Sequence, residues 1–229
     1  VVELVITLAI ETATTACSIA LRTASGEVHE RLLDTQRRHT EVLTAGINDA
    51  LSEFQLSVRD LTAIVVDRGP GLFTGLRVGL ATARGLADAL GVPLLGVTSL
   101  EILAHEAAPT SSTEQILALV DGRRGEVFAQ TFRSSTSLLA LSPAEVRTPQ
   151  DVVIEWGTSG LPVTVVGDGA QRYRELFGLL PNISIVDIVH PSPATALRLL
   201  DLVATGDVSP LYLREADAVA NFSTRGGVA

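Results

Sequence analysis

The segment that most restricts the fold is an apolar run, Leu61 to Val66, that passes through Asp67-Arg68-Gly69-Pro70-Gly71-Leu72-Phe73-Thr74-Gly75 into an apolar helical pattern ending at Leu90, before Gly91 and Pro93. Strand, glycine loop and helix in that order are what the rest of the chain has to accommodate. Gly69, Gly71 and Gly75 with Pro70 fix a tight path that could present backbone N–H groups to an anion at the helix start. The simpler reading is that the glycines shape the turn and let the helix pack closely on a strand, and spacing alone favours it. In the helix Gly71, Gly75, Gly79, Ala83, Ala87 and Gly91 recur at intervals of four and leave a stripe without bulk. Another backbone can approach that stripe, either this chain's own sheet or a helix of another subunit. Leu72, Leu76 and Leu80 on one side, with Leu86 and Leu90 on the other, make the helix apolar well beyond one amphipathic face.

Upstream, Val5–Ile10, Ala16–Leu21 and the stretch around Glu27–Leu33 read as strands joined by a hydroxyl-rich turn, Glu11 to Thr15, and a hairpin turn at Thr23-Ala24-Ser25-Gly26. A helix follows from Thr40 to Phe54, with Val42, Leu43, Gly46, Ile47, Ala50, Leu51 and Phe54 on one apolar face. Downstream come a strand at Leu94–Val97, a helix from Ser99 to about Glu106 and a polar break, Pro109 to Thr113, where the domain boundary is placed. The spacing then predicts a hairpin of Ile116–Val120 and Val127–Phe132, helices at Thr148–Trp156, Gln171–Phe177 and Thr195–Ala204, and strands at Val163–Val166 and Ile183–Val186. This gives an N-terminal α/β lobe over 1–109, a smaller C-terminal α/β lobe over 110–214 and a loose tail over 215–229. No repeat with a period of roughly 20 to 50 residues is visible.

Composition removes several chemistries. All 17 basic residues are Arg, so a Lys-dependent phosphate loop and a Lys Schiff base are absent, and the single Cys17 rules out an all-cysteine zinc site. Hydrophobic residues at 46 % and charged ones at 19 % describe an ordered globular chain. A net charge of −9 argues against this chain being the main nucleic-acid contact, so any tRNA role passes through a partner. The early run Leu4–Ile10 is too short for a membrane span and lacks a preceding basic region, and the expected location is the cytoplasm. The Asn182 and Asn221 sequons matter only in a secreted protein.

Glu11, with Thr12 and Thr14 behind it, could stand near a bound phosphate, with Asp67, Asp121 or Asp168 as a second carboxylate, although polar turns need such residues in any case. His39, after Arg37 and Arg38, reads as a helix cap rather than an anion contact, His105-Glu106 lacks the second His of a zinc-protease helix, and Cys17 reads as a small core residue. No nucleophile elbow occurs, and no residue set is read as metal-ligating or catalytic.

Leu8-Ala9-Ile10-Glu11-Thr12-Ala13-Thr14, Ala16-Cys17-Ser18, Arg38-His39-Thr40, Arg68-Gly69-Pro70-Gly71 with Phe73-Thr74-Gly75-Leu76-Arg77, and Gly96-Val97-Thr98-Ser99-Leu100 together resemble the bacterial TsaB (YeaZ) family. Val120-Asp121, Arg124-Gly125-Glu126-Val127 and Tyr212-Leu213-Arg214 extend the resemblance from about residue 5 to 214, and the string G-P-G-x-F-T-G-x-R is its specific element. The resemblance implies an actin-like or sugar-kinase-like (ASKHA) fold of two related α/β lobes and a role in making threonylcarbamoyladenosine next to the anticodon of tRNAs. It further implies a scaffolding subunit without activity of its own, a TsaD-like catalytic partner, and a TsaE-like ATPase that joins the pair. The four histidines are too scattered for the metal-binding pair of TsaD.

Two departures from the family pattern stand out: Glu11 where Asp is usual, and Leu72 where Ser is usual. Both weaken a case for ATP hydrolysis, so no cofactor is required, while weak ATP or ADP binding at Glu11, Thr12, Thr14, Gly69 and Gly71 stays open. By the resemblance, the partner contact is formed by the two N-terminal helices, placed on Val42, Leu43, Gly46, Ile47, Leu76, Arg77, Gly79 and Ala83. Gly79→Leu is then expected to break partner binding and spare the fold, and weak homodimers of the lone chain would use the same surface. The alternative is a nucleotide-dependent phosphotransferase of the same fold, built on Glu11 with Asp67 or Asp168. Peptidase activity finds no nucleophile and base arranged for it.

Overall fold

A computed structural model describes residues 6–36, 38–134, 139–200 and 206–214. The expected tail from Glu215, Asn221, Arg37, the end of the helix expected over Thr195–Ala204 and the start of the first strand lie outside the described residues.

β1 (Thr7–Glu11), β2 (Cys17–Arg22), β3 (Val28–Asp34), β4 (Ala63–Asp67) and β5 (Leu94–Val97) form one sheet in the order β3-β2-β1-β4-β5. β1, β2 and β3 pair antiparallel, while β1, β4 and β5 run parallel. A second sheet repeats this plan. β6 (Gln115–Arg123) pairs antiparallel with β7 (Glu126–Arg133), which carries β8 (Leu139–Ala140) and β9 (Glu145–Arg147) on its far edge. β10 (Val163–Val166) and β11 (Ile183–Ile185) run parallel on the other side of β6. The chain thus holds two related mixed α/β lobes, as an actin-like fold requires.

α1 (His39–Glu53) and α2 (Phe73–Leu90) cover the outer face of the first sheet, against Leu8, Ile10, Ile19, Leu21, Ile64 and Val66. α4 (Pro149–Ser159), α5 (Asp168–Arg172) and α6 (Arg174–Phe177) cover the outer face of the second, where Trp156 and Phe177 meet Leu117, Leu119, Val163 and Val165. The two remaining helices are exchanged. α3 (Ser99–Ala107) follows the first sheet yet lays Leu100, Leu103, Ala104 and Ala107 on Ile116, Ala118 and Val120 of the second. α7 (Pro193–Arg198) follows the second sheet and lays Ala196 and Leu197 on Ala9, Ala20 and Val65 of the first. Because alternate residues of the central strands β1, β4, β6 and β10 meet different helices, those strands are apolar on both faces and read as continuous runs, while the edge strand β3 is polar and largely exposed.

Helix ends follow local chemistry. Thr98 caps α3, accepting from the Glu101 N–H while the Glu101 carboxylate accepts from the Thr98 N–H at 2.8 Å. Thr98→Ala is expected to cost about 1 kcal/mol in urea unfolding. α2 ends at Gly91, whose φ of 67° suits glycine and whose N–H reaches Ala87 O. Leu72 stands at the N-cap of α2 and offers no side-chain acceptor.

Candidate functional site

The sequence-predicted polar cluster lies where β1 and β4 end. These strands run parallel with Ile10 opposite Val66, so Glu11 and Asp67 emerge side by side. Alternation puts Glu11 on the Ala9 side and Asp67 on the Val65 side, facing the layer between the sheets. Of the three candidate second carboxylates, Asp67 is therefore the neighbour of Glu11. Asp121 and Asp168 belong to the second lobe, where Asp168 Oδ1 accepts from the Asp121 N–H at 2.8 Å and holds the start of the β6–β7 turn.

Each carboxylate pins its own loop. Glu11 Oε1 accepts from the Ala13 N–H at 2.8 Å, and Asp67 Oδ1 accepts from the Gly69 N–H at 2.7 Å and the Ser99 hydroxyl at 2.9 Å. The two loops then close on each other: Leu72 N–H donates to Ala13 O at 2.6 Å and the Thr12 hydroxyl to Gly75 O at 2.9 Å. A Cβ on Gly71 would lie 2.1 Å from Ala13 O, and one on Gly75 2.1 Å from Thr12 O. The glycines serve that contact. Glu11 and Thr12 have no exposed surface and Thr14 has 1 %, so the residues expected as a phosphate loop, Glu11, Thr12, Thr14, Gly69 and Gly71, are brought together, with the first three buried and Gly71 half-buried at the edge of the cavity between the lobes. Burial pushes the Asp67 carboxyl up to about 7, and burial with the charge of Asp67 pushes Glu11 upward as well.

The residues on which the partner surface is expected divide between the core and the solvent. Leu43, Gly46, Ile47, Leu76, Gly79 and Ala83 are buried in this chain's own core, Val42 is half-buried, and Arg77 is exposed. The bulk-free stripe of α2 is spent on the chain's own β1–β2 turn: a Cβ on Gly79 would come within 2.2 Å of the Thr12 side-chain Oγ1, so Gly79→Leu is expected to disturb the fold instead of sparing it. The solvent-facing positions are Thr44, Ala45, Asn48 and Ser52 of α1 and Arg77, Ala81, Arg84, Gly85, Asp88 and Ala89 of α2. Sequence reasoning missed these, though Ala81, Gly85 and Ala89 form a second row of small residues at intervals of four.

A cavity of about 330 Å³ lies between the lobes, with Gly71–Thr74 on one wall, Asp121–Arg124 and Phe128 on the other, and Leu211–Arg214 across it. Its charges are engaged internally. Arg123 lies 2.8 Å and Arg172 3.4 Å from Asp121, and Arg214 lies 2.9 Å from Glu126. The segment 206–214 straps the lobes together, with Leu211 N–H on Arg68 O at 2.7 Å, Arg68 on Asp207 at 3.2 Å, and Arg77 between the Phe73 ring at 3.6 Å and the Tyr212 hydroxyl at 3.2 Å.

His39 is buried with Nε2 3.4 Å from Thr15 O, and the N-cap of α1 is Arg38, so His39 is a packed residue and not the expected cap. Among the described residues no group of three or more His, Cys, Asp and Glu could hold a metal ion. Burial pushes the Cys17 thiol up to about 12, which leaves it inert. Among the described residues no helix is long and apolar enough to cross a membrane.

The family model for TsaD, tRNA N6-adenosine threonylcarbamoyltransferase, matches residues 32–160. The tRNA threonylcarbamoyladenosine biosynthesis protein TsaB of Escherichia coli is 36 % identical over 219 residues, an alignment covering 90 % of this chain and 94 % of that protein. An uncharacterised protein of Mycobacterium leprae is 36 % identical over 222 residues, which cover 93 % of this chain and 56 % of that longer protein. Among solved structures, YeaZ from Pseudomonas aeruginosa superposes with a TM-score of 0.75 at 27 % identity, covering 91 % of this chain and all (100 %) of that one.

Proposed function

The chain belongs to the TsaB family, and on that footing we propose that it is the accessory subunit that docks a TsaD-like catalytic subunit, the pair then receiving a TsaE-like ATPase. Its part is in tRNA threonylcarbamoyladenosine biosynthesis, the process for which its relatives are named. The observation that carries the docking role is the outer face of α1 and α2. Two adjacent helices there expose Ala45, Ala81, Gly85 and Ala89 between Arg77, Arg84 and Asp88, a low surface on which further helices can come close. With a chain charge of −9, contact with tRNA runs through the partner. The alternative phosphotransferase, built on Glu11 with Asp67 or Asp168, finds less support: Glu11 and Asp67 are buried, and Asp168, half-buried, is engaged by the Asp121 N–H.

Gly85 offers a clean test, because a Cβ there meets nothing within 4 Å. Light scattering on a sizing column is expected to show the native chain and a TsaD-like protein of the same genome as one peak at the summed mass. Gly85→Trp is expected to leave them apart, with the circular dichroism of the lone chain unchanged and its unfolding midpoint no lower than the native one. Weak homodimers of the lone chain should disappear in the same variant. A full-strength complex with Gly85→Trp would place the contact on another face.

A further inference from the structure

We propose that Glu11 and Asp67 hold a single proton between them, and that this shared proton fastens the β1–β2 turn to the glycine loop before α2. Two oxygens of the pair remain unmatched among the described residues. Glu11 Oε1 and Asp67 Oδ1 are each satisfied by a backbone N–H of their own loop, yet Glu11 Oε2 and Asp67 Oδ2 are buried without a hydrogen-bond partner. Both residues are at least 99 % buried, and an unpaired oxygen there costs its full desolvation.

Among the described residues no cation answers them. The groups that face the pair are the Thr12 and Thr14 turn and Cys17 from β1 and β2, Ser99 and Glu101 from α3, and Asp168 from the second lobe; the charged ones among these, Glu101 and Asp168, are acidic. Arg68, next in sequence, turns away to Asp207. Two bare carboxylates side by side in this setting repel with nothing to offset them. One proton changes the sign of the contact, because a protonated carboxyl donates to the other carboxylate, so that Oε2 and Oδ2 are both satisfied by one hydrogen bond.

The placement gives the proton a mechanical role. Each carboxyl is already tied to its own loop, so the bond between them adds a buried link to the Leu72–Ala13 and Thr12–Gly75 hydrogen bonds that join the two loops, at the point where Gly71 and Gly75 rest on Ala13 and Thr12. The native pair retains a proton that the unfolded chain releases above the ordinary carboxylate range. The link therefore contributes fully in mild acid and is lost progressively as pH rises from about 4 towards 7.

Carboxyl carbon NMR of the folded chain, labelled in Asp and Glu and titrated from pH 4.5 to 8.5, tests this directly, with Glu11→Gln and Asp67→Asn identifying the signals. One carboxyl of the pair is expected to stay protonated at pH 6. Thermal unfolding over the same range should show the native midpoint falling as pH rises, with a flatter slope in Glu11→Gln, whose amide keeps a donor towards Asp67 at every pH. If both carboxyls are ionised at pH 6, or the slope in the variant equals the native one, the proposal fails. A gain in midpoint from magnesium ions alone at pH 8, absent in Glu11→Gln, would also overturn it, since the pair would then hold a metal cation in place of the proton. Should Glu11→Gln not fold, the native titration decides alone.

Discussion

Gly75→Ala is expected to lower stability by about 3 kcal/mol or more, while Gly85→Ala, further along the same helix, raises it by about 1 kcal/mol. The added group is the same methyl and the helix gains the same backbone stiffening, so the opposite signs come from what each Cβ meets. At Gly75 it lies 2.1 Å from the carbonyl oxygen of Thr12 and 2.9 Å from the His39 ring, and the Thr12 backbone is itself held in the turn by Glu11 and by the contact with α2. At Gly85 it meets nothing within 4 Å. Urea unfolding followed by far-ultraviolet circular dichroism measures both. A Gly75→Ala midpoint equal to the native one would show that the turn and α2 are not in the contact described.

Leu100→Ala is expected to cost about 3 kcal/mol and to move the unfolding of both lobes together. Leu100 follows the first sheet in sequence but is wholly buried in the core of the second, while α7 makes the reverse crossing. Losing side-chain volume in either exchanged helix therefore loosens a layer that both sheets share. Trp156 lies on the outer face of the second sheet, so its fluorescence reports that lobe, and circular dichroism reports the whole chain. The two signals should trace one transition, shifted equally by Leu100→Ala and by Leu197→Ala. A Trp156 transition that stays in place when α7 is altered would mean that the lobes unfold separately.

Most of the strands and helices were legible because a strand covered on both faces is a continuous apolar run. Leu94–Val97 and Val163–Val166 end where the sequence places them. Elsewhere tertiary contacts decide. β6 continues past Val120 to Arg123, since the β7 partner strand extends the ladder through a bulge beside Asp121. The helix expected over Gln171–Phe177 begins at Asp168 and is broken at Tyr173, while β8 and β9 are too short and too exposed to show alternation. The two related lobes were expected from the family resemblance alone, because a duplication this long shows no short repeat in the residues themselves.

The site was harder for a related reason. Periodicity shows that α2 carries small residues, but it cannot say which of its two small rows lies inward. Thr12 and Ala13 settle that, by accepting Gly71, Gly75 and Gly79 at distances where no side chain fits. The buried pairing of Glu11 with Asp67 depends on the parallel register of β1 and β4, which neither strand announces alone.

The exchange of α3 and α7 also sets the order in which the molecule can be completed on the ribosome. The first sheet is made early, yet the face bearing Ala9, Ala20 and Val65, which meets Ile102 of α3, is not fully covered until Pro193–Arg198 has left the exit tunnel. The amino-terminal lobe must wait, apolar side only partly covered, while nearly all of its companion is synthesised. In a crowded cell that interval, more than the finished molecule, is when apolar surface is open to the wrong contacts.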